Sequence, residues 1–105
     1  MTAMSQIRRL TQRIVRQFSP ERVILFGSHA YGTPHPDSDV DLLVLLSFEG
    51  KSLRKTLEIL NAVDPPFAID LLVRRPDEAA RRYAEGDPLM REALDKGVVL
   101  YERHS

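Results

Sequence analysis

Two apolar runs, each interrupted by one aspartate, limit how this chain can fold. They are Val40-Asp41-Leu42-Leu43-Val44-Leu45-Leu46 and Phe67-Ala68-Ile69-Asp70-Leu71-Leu72-Val73. Both have strand length, and neither alternates apolar with polar as a strand with one wet face does. Both read as strands, and the first, nearly continuous, is expected to be covered on both faces. The surrounding segments supply the cover. Ile7, Leu10, Ile14, Val15 and Phe18 recur at helical spacing, with Arg8, Arg9, Arg13 and Arg16 around them. Pro20 stops that helix, and Arg22-Val23-Ile24-Leu25-Phe26 reads as a short strand ended by Gly27.

Beyond a breaker-rich loop, Gly32 to Ser38, comes the first of the two apolar runs. Ser52 then reads as the cap of a helix on which Leu53, Leu57 and Leu60 share a face, closed by Pro65-Pro66. Pro76-Asp77-Glu78 opens the next helix, with proline pre-set for the first turn and acids at its positive end. Gly86-Asp87-Pro88 breaks it, Leu89 to Lys96 forms another that Gly97 ends, and Val98 to Tyr101 is a last strand. The expected fold is α/β (α+β): a mixed sheet of about four strands with flanking helices, in one domain spanning residues 1–105.

The acids carry the chemistry. Asp39 and Asp41 are two residues apart, so an extended chain points both to one face. Asp41 and Asp70 each sit among apolar neighbours, where an unpaired carboxylate costs several kcal/mol, on the order of 2–7 for a polar group. Each has an ordinary explanation. Asp39 and Asp41 can lie at an exposed strand start, and Asp70 can pair with Arg74 or Arg75. If the two strands are neighbours, however, all three carboxylates meet at one end of the sheet. Convergent carboxylate oxygens are the ligands Mg²⁺ takes, shared with substrate phosphates. Two such ions and a nucleoside triphosphate would bring the site near neutrality and flank a transferring phosphoryl group.

Upstream lies Gly27-Ser28-His29-Ala30-Tyr31-Gly32, entered directly from a strand. Gly27 permits a sharp turn and close approach to a ligand, and Ser28 can open a short helix whose free amides face an anion. The segment lacks the Gly-Lys-Ser/Thr of a Walker loop.

Taken together, Gly27-Ser28, Gly32, Ser38-Asp39-Val40-Asp41-Leu42-Leu43-Val44 and the distal Asp70 resemble the DNA polymerase β-like nucleotidyltransferase superfamily. The short length and the ending Gly97-Val98-Val99-Leu100-Tyr101 resemble its minimal branch, the MNT-domain proteins. The resemblance implies the nucleotidyltransferase fold over almost the whole chain. It implies that Asp39, Asp41 and Asp70 hold two Mg²⁺ ions and do the catalysis, while Gly27, Ser28 and Ser38 bind the nucleotide. The implied activity is transfer of AMP from ATP to a hydroxyl, expected to be a tyrosine, of a HEPN-type toxin, the chain acting as antitoxin in a hetero-oligomer. The alternative is a catalytically weak or inactive antitoxin, or a nucleotide-binding subunit, acting by stoichiometric binding. Tyr31 departs from the branch, where the loop frequently reads Gly-Ser-x-Ala-Arg-Gly.

Composition excludes more than it assigns. Lys+Arg and Asp+Glu are 15 each, so the net charge is zero and no general attraction to nucleic acid or membrane is expected. With no cysteine there is no disulfide, thiolate nucleophile or Cys-ligated zinc. No run approaches the roughly 18 apolar residues of a membrane span, and the N-terminal residues lack the apolar centre of a secretory signal, which points to the cytoplasm. His29 reads as a solvated loop histidine, with contact to a phosphate as the alternative, His35 as exposed between two prolines, and His104 as part of a frayed tail. The four arginines of the first helix suit RNA or an acidic partner, or simply its wet face.

Overall fold

A computed structural model describes residues 2–34 and 37–104; His35, between its two prolines, lies outside them. Nine elements follow in order: α1 (Met4–Phe18), β1 (Arg22–Phe26), α2 (Ser28–Tyr31), β2 (Val40–Leu45), α3 (Ser52–Val63), β3 (Ile69–Arg74), α4 (Pro76–Ala84), α5 (Pro88–Lys96) and β4 (Val98–Glu102). The strands form one mixed sheet in the order β3-β2-β1-β4. β1 pairs antiparallel with both β2 and β4, whereas β2 and β3 run parallel, joined by the α3 crossover.

Because β2 is interior and buried on both sides, it needs apolar residues at every position but one. Val40, Leu42 and Val44 pack on one side with Ile7, Leu10 and Ile14 of α1 and Ile59 and Val63 of α3. Leu43 and Leu45 pack on the other with Ala79 of α4 and Met90 and Ala93 of α5. The expected layering holds, and the sheet separates two distinct cores.

Three local expectations change. Leu53 and Leu57 do not face the core: they are 69% and 52% exposed, and α3 is seated by Ile59 and Val63. The leucine spacing is helical, but the sheet lies on the other side of the helix. Lys51, not Ser52, is the N-cap of α3, with no side-chain hydrogen bond; Ser52 is the first helical residue, and its carbonyl accepts from Thr56 Oγ1 at 2.9 Å. Finally, β3 begins at Ile69, not Phe67, although the Ala68 carbonyl already accepts from the Val40 amide (3.0 Å).

The helix starts follow the sequence closely. Pro76 and Pro88 occupy first-turn positions, and Asp87 caps α5 by accepting from the amides of Leu89 (3.0 Å) and Met90 (3.1 Å). Gly97 ends α5, but in extended conformation (φ −72°), not left-handed. Glycine is needed there for space: a Cβ would run into the Ala93 carbonyl and the Ile24 side chain.

Candidate active site

The register between β2 and β3 brings the site together. Asp41 and Asp70 are direct partners across the parallel pair, flanked by the pairs Val40–Ile69 and Leu42–Leu71. Neighbouring strands lie about 4.8 Å apart, and paired residues project to the same face. Val40 and Leu42 enter the α1–α3 core, so Asp41 projects to the opposite side, as does Leu43. Asp70 shares that side with Leu72, and Asp39, just before β2, lies close enough to repel Asp41. The three acids therefore stand at one corner, where β2 and β3 start and β1 ends; the last residue of β1, Phe26, pairs with Asp41.

Their burial is unequal. Asp41 is half-buried, while Asp39 and Asp70 are exposed. The desolvation cost expected for both mid-run acids thus applies to Asp41 alone: β2 is interior, with Phe26 and Gly27 against Asp41, whereas Asp70 lies on the edge strand β3. Burial first, then repulsion from Asp70, Asp39 and Glu92, raises the Asp41 carboxyl above its ordinary range, against a smaller opposing effect of His29.

The ordinary explanation for Asp70 fails. Arg74 lies at the other end of β3, against Glu78 (3.6 Å), and Arg75 donates to the carbonyls of Phe48 (2.9 Å) and Gly50 (2.5 Å). Among the described residues no arginine or lysine pairs with Asp39, Asp41 or Asp70.

Gly27 joins β1 to the one-turn helix α2 with φ +75° and ψ −162°, a combination that only glycine adopts readily. A Cβ here would also collide with the Asp41 carboxylate. Sequence chemistry thus meets geometry twice at one residue: the turn needs glycine, and the carboxylate occupies the space a side chain would fill. The Gly27 carbonyl accepts from the amides of Ala30 (3.0 Å) and Tyr31 (3.2 Å), closing the turn that carries Ser28 beside the acids. Ser38, partly buried, precedes β2 on the same strand entry as Asp39.

Two further residues join the corner, Glu92 without a sequence signal and His29 from within the Gly27–Gly32 turn. Glu92 projects from α5 close enough to repel Asp41 and to face the hydroxyl of Tyr31; partial burial and that carboxylate raise the tyrosine above its ordinary value. Nothing in the spacing around residue 92 distinguishes it from an exposed helical glutamate. His29 is not a solvated loop residue: it is half-buried in α2, and neither ring nitrogen has a hydrogen-bond partner or contact with solvent.

Hard carboxylate oxygens without a counter-cation suit a divalent metal in kind. Among the described residues, however, no three His, Cys, Asp or Glu side chains are already gathered as a ligand set, so the acids share a face without closing on a point. No helix among the described residues is long and apolar enough to cross a membrane.

Solved structures share this architecture. A putative nucleotidyltransferase from Sulfolobus solfataricus superposes with a TM-score of 0.67 at 18% identity, covering 94% of this chain and 79% of that one. A toxin–antitoxin complex with AMP-PNP gives 0.59 at 22% identity over 92% and 74% of the two chains. A mutant of the MntA–HpeT toxin–antitoxin pair gives 0.58 at 20% identity over the same shares. These likenesses establish the fold. No curated protein matches in sequence. The profile of the nucleotidyltransferase domain does match, across residues 7–100, and the chain therefore belongs to the nucleotidyltransferase domain family.

Proposed function

We propose that the chain transfers AMP from ATP to a hydroxyl of a partner toxin of the HEPN type, and thereby acts as its antitoxin in the cytoplasm. The observation that carries this reading is the Asp41–Asp70 register, with Asp39 near Asp41 and the Gly27–Ser28 turn against it. A relative of the same fold in complex with AMP-PNP, and others paired with a toxin, support the choice of nucleotide and partner.

In the reaction the acceptor oxygen attacks the α-phosphorus in line. The new oxygen–phosphorus bond forms as the bond to the bridging oxygen breaks, pyrophosphate leaves, and the acceptor proton passes to a carboxylate or to solvent. Ser28 and the free amides at the start of α2 would hold the triphosphate, with Ser38 alongside. Asp39, Asp41 and Asp70 would hold Mg²⁺, two ions in all, which when bound supplies charge neutralisation at the phosphates. Gly27 keeps the cradle and the Asp41 carboxylate in contact. Most of the rate enhancement comes from positioning and electrostatics, and no dedicated base is required.

Tyr31 favours a second reading, a stoichiometric antitoxin with feeble transfer. A neutral phenol facing Glu92 occupies the position where the branch frequently has a guanidinium, and it brings no positive charge to a triphosphate.

The test is to incubate the chain with its toxin partner, Mg²⁺ and ATP labelled on the α-phosphate, and to read label and intact mass. Transfer predicts a gain of whole AMP units on the toxin, lost in Asp39→Asn and Asp41→Asn. An unlabelled toxin that both variants still neutralise would establish the stoichiometric reading instead.

A further inference from the structure

The carboxylate corner lies on one face of the sheet; a different surface stands on the opposite face, at the other edge. β4 is an edge strand, paired only with β1; its Val98, on the face of α1, and Val99, on the other face, are 37% and 46% exposed. Beside it runs a groove of about 460 Å³ between β4 and α1. Val15, Leu100 and Tyr101 line its apolar part, and Arg8 and Arg16 border it.

The charge at this groove is one-sided. α1 carries Arg8, Arg9, Arg13 and Arg16 and no acidic residue, although the whole chain is neutral. All four are exposed, and none is ion-paired among the described residues. An edge strand with exposed valines is a template for strand addition, usually blunted by a charge or proline on the strand itself. Here Val98 to Tyr101 carry neither, and the one charge on β4, Glu102 at its end, is paired with Arg22 at 3.4 Å. The edge is open.

We propose that β4 and this groove receive an extended, acidic segment of a partner protein as a fifth strand. Main-chain hydrogen bonds to β4 supply affinity, and the arginine rim supplies selection. Arg8 and Arg16 are eight residues apart, about 12 Å along the helix, which is the span of roughly four strand residues. The matching segment therefore has acidic side chains at positions i and i+4, with an apolar side chain at i+2 facing the groove. A second copy of this chain is the wrong occupant. Antiparallel pairing of β4 with β4 keeps both α1 helices on the same face and sets arginines against arginines. RNA would use the arginines but not the strand edge or the exposed valines. The surface faces away from Asp39, Asp41 and Asp70, so the inference holds whether or not the chain transfers nucleotides.

The test titrates the protein into a fluorescein-labelled peptide, Thr-Glu-Thr-Val-Thr-Glu-Thr with blocked ends, and into its counterpart with both glutamates replaced by lysine. A single-stranded RNA hexamer is the third ligand. The expected result is saturable binding of the acidic peptide alone. Arg8→Glu/Arg16→Glu weakens it about tenfold or more, Val99→Lys also weakens it, and Asp41→Asn leaves it unchanged. Circular dichroism checks that each variant is folded, and light scattering follows the oligomeric state. Equal binding of the two peptides, insensitivity to the arginine or valine changes, tighter binding of RNA, or a dimer dispersed by Val99→Lys would each overturn the proposal.

Discussion

The two ends of the β2–β3 pair are built from the same strands and treat charge in opposite ways. At the end where Arg74 and Arg75 leave β3, each guanidinium is occupied. Arg74 meets Glu78, while Arg75 caps two carbonyls of the loop after β2 and stacks 4.3 Å from the centre of the Phe48 ring. At the end where the strands begin, three carboxylates stand together with no cation among the described residues, and a fourth, Glu92, approaches from α5. The satisfied end fastens the loop to the sheet. The other end holds repulsion that the described residues do not relieve, which is why it is the candidate site.

Substitutions at the two ends should therefore separate activity from stability. The largest effect is expected from Asp41→Asn, which should lower AMP transfer by at least about a hundredfold, as loss of a central electrostatic group does. The same change should leave thermal stability equal or higher, because it removes a half-buried charge from between like charges. A clear fall in melting temperature would mean that Asp41 has a structural partner.

Gly27→Ala comes next. The residue's φ of +75° and the collision with the Asp41 carboxylate should cost about 1–3 kcal/mol by denaturant unfolding and abolish nucleotide binding as well. At the satisfied end, Arg75→Ala should cost about 1–2 kcal/mol through its carbonyl contacts and leave transfer unaffected. A reversed pattern, with Arg75→Ala inactive and Gly27→Ala fully active, would break the comparison.

The smallest effect is in pH. The carboxyl of Asp41 is raised in the folded chain, so the folded state binds more proton than the unfolded one between the ordinary aspartate range and that raised value. Stability should therefore decline as pH rises through this window and then level off. Unfolding of the wild type and Asp41→Asn at a series of pH values should show this slope in the first and less of it in the second. Equal slopes would assign the effect to other groups.

Much of this was legible in the residues. The apolar runs placed β2 and β3, and Pro76 and the Asp87-Pro88 step placed α4 and α5. What stayed hidden depended on which neighbour a helix meets. Leu53, Leu57 and Leu60 have the spacing of a buried stripe, yet Ile59 and Val63 reach the sheet, because the crossover fixes the rotation of α3. Glu92 joins Asp41 only because α5 packs beside β1, a contact far apart in sequence. The φ of Gly27 could be expected from its turn; the carboxylate filling its missing side chain could not.

The most direct test of the carboxylate corner is amide NMR of the 12.0 kDa chain during titration with Mn²⁺ and ATP, the paramagnetic ion standing in for Mg²⁺. The account predicts that the amides of Gly27, Ser28, Asp41 and Asp70 broaden together at low metal, and that Asp39→Asn and Asp41→Asn suppress the broadening. Broadening centred elsewhere, or unchanged in both variants, would contradict it.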